Sequence, residues 1–545
     1  MAMPPSLKRV GASIVRFRRD TRANIAITFA IATIPILGAV GAATDYSIAT
    51  RIRTKLQSAA DTAAVAAVSE KSAGWTAAMA MSTDGTVAAG VTEADNVFRG
   101  VASTMEGYQN LRVTSVTVTK TGKNLNSNLQ FSAEVPVTFM KALGWQTMTV
   151  GGTSTAASSL PLYLDFYLTL DVSGSMGLPS TTDEAIRMQS INPDNFVQYP
   201  TGCTLACHFA PQNSACKDPP VTSPTNPPAN PPITSNYTQR YNTNNYCMGY
   251  SYSRVSQAAL ANLINMASTV AVPKQVPGLP KSMLSGLPGS LNIDPTWGMQ
   301  PVTNCPTDGT DACIQLRLDA VGYAVNKLIE TANQTKKVTN QFKIGLYPFI
   351  RYMDTSYAPL TSNINGSPTT PGTINYAAAN LATQLDTNIN ANLGSGGTHI
   401  DTALSTMNTT ITSVGNGTAT NNTLPYVFLV TDGAQDNQVK GVPNGGWSGS
   451  NHATTINPAT VCQPLKSRGI IISVLYIPYV PINPVNTSFA GNEDTYANNN
   501  IPNIPTSLSG CASPGFFYTA NTPADITTAL KKMFDHALVH AHLTH

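Results

Sequence analysis

One turn in this chain gathers oxygen atoms. Asp171-Val172-Ser173-Gly174-Ser175 directly follows the mostly apolar run Tyr163–Leu170. A short apolar run predicts a buried strand, which would place one carboxylate and two hydroxyls at its carboxyl end. Oxygen ligands alone suit a hard cation. Mg²⁺ or Mn²⁺ fits a compact octahedral shell better than Ca²⁺ does. The carboxyl ends of strands are also where open α/β sheets put their ligands. Two later segments supply matching groups. Thr398 lies in Gly394-Ser395-Gly396-Gly397-Thr398-His399-Ile400, a glycine-rich loop ahead of a helical stretch. Asp432 closes Tyr426-Val427-Phe428-Leu429-Val430-Thr431-Asp432-Gly433, a second apolar run that ends in a carboxylate. The expected metal ligands are therefore Asp171, Ser173, Ser175, Thr398 and Asp432. Turn and helix-cap chemistry would account for any one of them alone. Asp401 and Asp436 are expected outside the ligand set.

From Leu160 onward the pattern alternates between strand and helix, which predicts a doubly wound, mostly parallel sheet. Expected strands are Tyr163–Leu170, Phe342–Phe349, Tyr426–Val430, Gly469–Ile477 and Pro514–Tyr518. Their nearly continuous apolar runs are what a sheet covered on both faces requires. Expected helices are Ala312–Thr331, Asp401–Val414 and Pro523–Leu538. Residues 177–311 interrupt the pattern as an insertion rich in Pro, Asn and Cys, with a short helix expected near Ser253–Ala267. It starts at the oxygen-rich turn, so it reads either as a lid or partner surface over that turn or as a passive decoration. Loops Ala434–Thr455 and Val480–Ser509 would emerge near the same edge.

The three oxygen-bearing segments, in this order and each at a strand or helix end, closely resemble the metal-ion-dependent adhesion site (MIDAS) of von Willebrand factor A domains. That resemblance implies a Rossmann-like α/β fold. Ser173, Ser175 and Thr398 would give hydroxyl oxygens to the metal, and Asp171 and Asp432 would bind it directly or through water. It also implies an open metal position that a partner's Asp or Glu completes.

Charged residues make up only 11% of the 545-residue chain, and the net charge is +3. That composition fits a secreted or surface-facing protein better than a cytosolic enzyme. No basic stripe with interleaved aromatics supports nucleic-acid binding. All eight cysteines lie beyond residue 200: Cys203, Cys207, Cys216, Cys247, Cys305, Cys313, Cys462 and Cys511. An even count fits four disulfides in an oxidising compartment, with 105 possible pairings. A zinc site around Cys203, Cys207 and His208 is the competing reading, and it lacks a second close cysteine pair.

Lys8, Arg9, Arg16, Arg18, Arg19 and Arg22 precede an uncharged run, Ala23 to Thr44, whose core is Ile25–Val40. With its flanks the run is long enough to cross a bilayer. Positive charge on the near side predicts a cytoplasmic N-terminus with the bulk of the chain outside. Pro35 is tolerated in such a span. A cleaved signal peptide ending at Gly41-Ala42-Ala43 is the alternative. Against it, Asp45 to Val68 reads as a continuing helix, with Ile48, Ile52, Leu56, Ala59, Ala60 and Ala63 as its apolar stripe.

The sequence Arg19-Asp20-x-Arg22-Ala23-Asn24-Ile25-Ala26, the span, Asp45-Tyr46 and the Leu56–Ala66 segment resemble the N-terminal module of TadG-like proteins. These belong to the tight-adherence (Flp) pilus assembly systems of bacteria. Related pseudopilins carry a Glu shortly after their cleaved bond, whereas no acidic residue lies between Asp20 and Asp45 here. Prepilin-type processing and incorporation as a pilus subunit are therefore not expected. The expected organisation is a cytoplasmic basic segment (1–22), a span with its continuing helix (23–71), a small α+β spacer (72–160) and a von Willebrand factor A domain (161–545). In the spacer, β-like runs fall near Arg112–Lys120, Gln130–Phe139 and Gln146–Ala156.

Three functions compete. The first is a non-enzymatic, single-pass component of pilus assembly or adhesion at the bacterial inner membrane, with its bulk periplasmic or extracellular. Its metal would hold an acidic protein ligand, such as a pilus or pilus-assembly component. The second is a released adhesin for host or matrix protein. The third is a metal-dependent hydrolase. The chain has no HExxH, G-x-S-x-G or Walker A motif, and His399 is the one acid–base candidate. His536 and His540 lie one helical turn apart, a spacing that could bind a metal, but the expectation is a frayed C-terminal tail. No small-molecule substrate is expected.

Overall fold

The computed structural model describes residues 23–178, 180–181, 315–386, 390–441, 447–448, 452–479, 481, 485 and 492–544. It divides into two compact units, one ending at Leu160 and one beginning at Pro161. Most of the 177–311 insertion, its expected helix, the basic residues before Ala23 and the six cysteines from Cys203 to Cys313 lie outside the described residues.

The first unit opens with α1 (Ala23–Ala66), which runs through Pro35 as one helix. Its two halves meet different surroundings. Phe29, Ile31, Ile34, Leu37 and Val40 are exposed, whereas Ile52, Leu56, Ala59, Ala60, Ala63 and Ala64 are buried. Ile48, expected on the buried stripe, is 43% exposed. Helix α2 (Ala73–Ala80), strand β1 (Gly85–Thr86) and helix α3 (Ala88–Ala102) come next. Three long strands follow: β2 (Gln109–Thr121), β3 (Asn124–Pro136) and β4 (Thr147–Ser159). They pair antiparallel in the order β1-β2-β3-β4. The buried stripe of α1 covers this sheet. Arg53 Nε donates to the Gly151 carbonyl at 2.9 Å, and Gln57 Nε2 to the Thr153 carbonyl at 3.0 Å.

The second unit is built on β5 (Leu164–Asp171). Helix α4 (Arg317–Thr335) leads to β6 (Phe342–Phe349), the antiparallel edge strand β7 (Ala358–Thr361) and helix α5 (Ile374–Ala379). Then come α6 (Ile400–Thr410), β8 (Leu424–Thr431) and a small ribbon, β9 (Val439–Lys440) with β10 (Trp447–Ser448). Helices α7 (Pro458–Val461) and α8 (Gln463–Ser467) precede β11 (Ile471–Tyr476). Helices α9 (Glu493–Asn500) and α10 (Ile504–Cys511), strand β12 (Phe517–Thr519) and helix α11 (Pro523–Thr544) complete the unit.

The six-stranded sheet runs β12-β11-β8-β5-β6-β7. Chain order therefore proceeds outward in one direction from β5 and then returns to start again at β8. Between β5 and β8 lies a topological switch point, where the strand ends open a crevice. Both strands are fully buried and alternate between two cores, as the two-residue period of a strand demands. Leu164, Phe166, Leu168 and Leu170 of β5 face one core with α4 and α11. Val427 and Leu429 of β8 face the other, with α6 and α10. Phe166 is the hub of the first core, with ring centroids of Phe342, Tyr426, Phe428 and Phe534 between 5.2 and 6.0 Å away.

Two expectations are corrected. The Val480–Ser509 stretch is not only loop: it holds α9 and much of α10, a pattern hidden by Asn- and Pro-rich sequence. The last helix does not stop at Leu538: α11 continues to Thr544. His536 stacks on Phe516 with centroids 4.1 Å apart, and His540 Nδ1 lies 3.3 Å from the Tyr426 hydroxyl. Both histidines thus pack the helix against the sheet. Cys462 and Cys511 form a disulfide joining α7–α8 to α10.

Replacing Phe166 with Ala would empty the centre of this aromatic cluster. The expected loss is about 3–5 kcal/mol from the unfolding transition of the second unit, read by urea denaturation with near-UV circular dichroism.

Candidate metal site at the sheet's carboxyl edge

Asp171 is the last residue of β5, and Thr431 the last of β8. Parallel pairing matches Leu170 with Val430, so the residues that follow, Asp171 and Thr431, emerge side by side. Thr431 Oγ1 donates to Asp171 Oδ2 at 2.6 Å and accepts from the Gly433 N–H at 2.9 Å. Asp171 Oδ1 accepts from the Ser173 N–H at 2.9 Å, which folds the turn back over the strand end. The Ser173 and Ser175 hydroxyls lie 3.3 Å apart. A short 3₁₀ turn, Gly174–Gly177, carries Ser175. Its Met176 is fully buried in the core with α4, so packing fixes the turn.

Asp432 follows Thr431 and is completely buried. The Ser175 hydroxyl and the Ala434 N–H face its carboxylate oxygens, but neither makes a hydrogen bond of normal geometry. Arg317 Nη1 is the nearest cationic atom, 3.9 Å from Oδ2, and it too lacks a hydrogen bond. Burial pushes the Asp171 carboxyl well above its ordinary value, and the Asp432 charge pushes it further. Burial likewise raises Asp432, while Arg317 and the Ser175 hydroxyl act the other way. A buried carboxylate with no well-placed hydrogen-bond donors is costly. A small cation bound by these oxygens would relieve the cost, so the donor set fits a hard divalent metal.

Thr398 is buried, and its backbone pairs in both directions with Asp436, at 2.8 and 2.9 Å. The His399 N–H donates to the Ile350 carbonyl, which anchors this loop just past the end of β6. Gly397 has φ +70°, and a Cβ there would meet the Asp436 and Gln438 carbonyl oxygens at 2.2 and 2.5 Å. Only glycine fits this close crossing of two backbones. Asp171, Ser173 and Ser175 are thus gathered by direct contacts at the end of β5, Asp432 follows the end of the adjacent β8, and Thr398 sits on a loop stitched to the neighbouring strand end. His399 is buried, its Nε2 is 3.1 Å from the Gln438 carbonyl, and burial lowers its pKa. Asp436 Oδ1 accepts from the Gln438 N–H, and the Asp401 Oδ1 from the Thr402 N–H.

Three positioning residues escaped sequence reasoning. Thr431 aligns Asp171, and its signal was its place between the strand and Asp432. Arg317 sits at the start of α4, across the long insertion from the turn it faces. Asp386 ties two loops together. Its N–H donates to the Val172 carbonyl, its Oδ1 accepts from Ser395 Oγ at 2.7 Å and its Oδ2 from the Gly396 N–H at 3.0 Å. No motif marks it. Among the described residues, no group of three or more His, Cys, Asp or Glu stands ready to hold a metal, so two carboxylates with hydroxyls are the donor set on offer.

Residues 23–80 match the Tad family model, described as Flp pilus-assembly TadE/G-like. No curated protein matches the chain. Among solved structures, the PilB minor pilin of Streptococcus sanguinis is 10% identical, with 79% of this chain and 78% of that one covered and a TM-score of 0.30. The von Willebrand factor domain of a type V pilus tip protein from Porphyromonas gingivalis is 12% identical, with 41% and 89% covered and a TM-score of 0.24. Proximal thread matrix protein 1 from mussel byssus is 16% identical, with a TM-score of 0.25. It covers 41% of this chain, which spans 43% of its length.

The raised carboxyls have a pH signature. A carboxyl whose pKa is higher folded than unfolded adds stability below its unfolded value and loses it as pH rises. In chelator-treated protein the second unit should therefore melt at progressively lower temperature as pH climbs from the ordinary carboxylate value of 3.8 toward neutrality. Asp432→Asn should flatten that slope, as differential scanning calorimetry at a series of pH values will show.

Proposed function

We propose that this chain is a membrane-anchored, extracytoplasmic component of bacterial Flp/Tad pilus assembly or adhesion. In this reading its second unit is a von Willebrand factor A-like domain that grips a protein partner through a divalent metal. The observation that carries the metal reading is the buried Asp432 carboxylate. Both of its oxygens lack hydrogen bonds, beside Asp171, at the switch point of the sheet. The Tad match at residues 23–80 supports the pilus context. The strand order, which proceeds outward from β5 and starts again at β8, supports the doubly wound sheet that the von Willebrand factor A resemblance implies.

Asp171, Ser173, Ser175, Thr398 and Asp432 would hold Mg²⁺ or Mn²⁺. Neutral hydroxyls leave such a cation electron-poor, and the bound metal would supply an electrophilic position for a partner's Asp or Glu. The partner we propose is a pilus or pilus-assembly component that presents such a side chain. The proposed role is not enzymatic: among the described residues, His399, the histidine adjoining Thr398, is buried with its Nε2 on the Gln438 carbonyl.

Helix α1 is long and apolar enough to cross a membrane. It runs unbroken through Gly41-Ala42-Ala43 into the half that packs on the sheet. Cleavage there would cut a continuous helix, which favours the anchor over a released adhesin. We place the chain in the inner membrane as a single-pass protein. The basic segment from Lys8 to Arg22 would hold the N-terminus in the cytoplasm.

Calorimetric titration of the full, oxidised chain in detergent tests the site. Mg²⁺ and Mn²⁺ should each bind saturably to the wild type. Asp171→Ala and Ser173→Ala should abolish that heat, and Gly397→Ala should weaken it by at least tenfold by displacing the Thr398 loop. Equal binding in Asp171→Ala and wild type would refute the site.

A further inference from the structure

The turn between β3 and β4 is built unlike the other turns of its sheet. Thr138-Phe139-Met140-Lys141-Ala142-Leu143-Gly144-Trp145-Gln146 carries a single charge. Its large apolar side chains point into solvent: Phe139 is 53% exposed, Leu143 60% and Trp145 61%. The turn at the far end of β3, Thr121-Gly122-Lys123-Asn124, is polar. Three exposed large hydrophobics on one short turn form a patch that water penalises.

The fold places that patch at one level of α1. Asp45 accepts three backbone hydrogen bonds from the turn: from the Thr138 N–H at 2.9 Å, the Phe139 N–H at 2.9 Å and the Met140 N–H at 2.7 Å. One helical turn earlier, a Cβ on Gly41 would meet Phe139 Cβ at 2.5 Å, so the Phe139 side chain lies directly on the helix there. The direction of travel agrees. Going up α1 from Arg53 to Gln57 follows β4 from Gly151 to Thr153, away from the turn. The turn therefore lies at the end of the sheet where α1 changes from its exposed apolar half to its packed half. Val40 is 60% exposed and Tyr46 65% exposed on either side of that level. Asp45 stands five residues past Val40, or about 7.5 Å along the axis. The headgroup region on each side of a bilayer core is about 5–8 Å deep.

We propose that the turn Thr138–Gln146 is a second membrane contact. Phe139, Leu143 and Trp145 would enter the headgroup–acyl boundary of the leaflet from which α1 emerges. Lys141 would reach back to lipid phosphates. The occupant is lipid because the patch is continuous with the exposed half of α1 and sits within one helical turn of its end. Trp at this depth has its ring in the apolar layer and its N–H in the wet one. Asp45 then has a mechanical role. Its three hydrogen bonds clamp the turn to the helix, so that helix and turn enter the bilayer as one rigid foot and the small sheet stands at a fixed angle to the membrane.

This inference rests on the anchor reading of α1, and its test separates the two. The full chain is reconstituted into vesicles of phosphatidylcholine and phosphatidylglycerol whose acyl chains are brominated near the headgroup, and tryptophan emission is compared between wild type and Trp145→Phe. Trp75 is buried, and it, Trp297 and Trp447 are common to both proteins and cancel in the difference. The expected result is that these lipids quench wild-type emission, that the quenched component disappears in Trp145→Phe, and that aqueous iodide does not reach it. If the protein floats with vesicles but both forms quench equally, the turn is not in the membrane while the anchor stands. A Trp145 shielded from bromine and iodide alike would mean that protein covers the patch, which overturns the proposal. Failure to float at all would overturn the anchor and this contact together.

Discussion

Two carboxylates packed at adjacent strand ends of a parallel sheet repel each other and lose their hydration together. Every feature of the sheet's carboxyl edge answers that constraint. Asp171 receives a hydroxyl from Thr431 and a backbone N–H from Ser173. Asp432 has only poorly placed donors, the Ser175 hydroxyl and the Ala434 N–H, and the nearest cation, Arg317, stands off at 3.9 Å. A guanidinium whose Nη1 stands at that distance without a hydrogen bond offsets the charge in part and satisfies no lone pair. What remains is one uncompensated negative charge, which a proton on the pair removes and which the proposed metal would also remove. The strand pair cannot relax to remove it, because β5 and β8 are buried on both faces and their register is fixed by two cores at once.

The elements that bear on this constraint were the ones most legible in the sequence. β6 has the expected bounds, Phe342–Phe349, and β5 and β8 lie within a few residues of theirs, because an apolar run covered on both faces has no other stable home. Asp171 and Asp432 were readable for the same reason, each being the first charge after such a run. Connections were harder. Helix α9 reads Glu-Asp-Thr-Tyr-Ala-Asn-Asn-Asn, a sequence with few helix formers that is held by the packing around it. The continuation of α11 past Leu538 was missed because His540 looked like tail. In the fold it contacts Tyr426 across the sheet.

Site residues divide in the same way. Ligand candidates carry their chemistry in their type, so they announce themselves. Positioning residues do not. Asp386 holds the Ser395–Gly396 loop against Val172 through three hydrogen bonds, yet in sequence it is an isolated acid in an Asn- and Thr-rich stretch. Arg317 is separated from Ser175 by the whole insertion. No local pattern could place it beside Asp432, since that juxtaposition is a property of the sheet order.

The first unit meets a different constraint with one helix. From Thr28 to Val40 the helix is mostly apolar and mostly exposed, which suits lipid. Residues after Asp45 are apolar on one stripe only, with Arg53 and Gln57 bonded to β4, which suits a sheet and water. A helix that changes solvent must keep its backbone paired across the change, and α1 does so without a break. The junction then needs a side chain that tolerates the headgroup layer and ties the two regimes together. A carboxylate that accepts three N–H groups from one turn does both, because its charge is neutralised by fixed dipoles and the turn it holds presents the aromatic and aliphatic surface the interface favours. In the proposed anchor reading, Asp45 at the foot of the span lets one continuous helix bear a folded unit on its end.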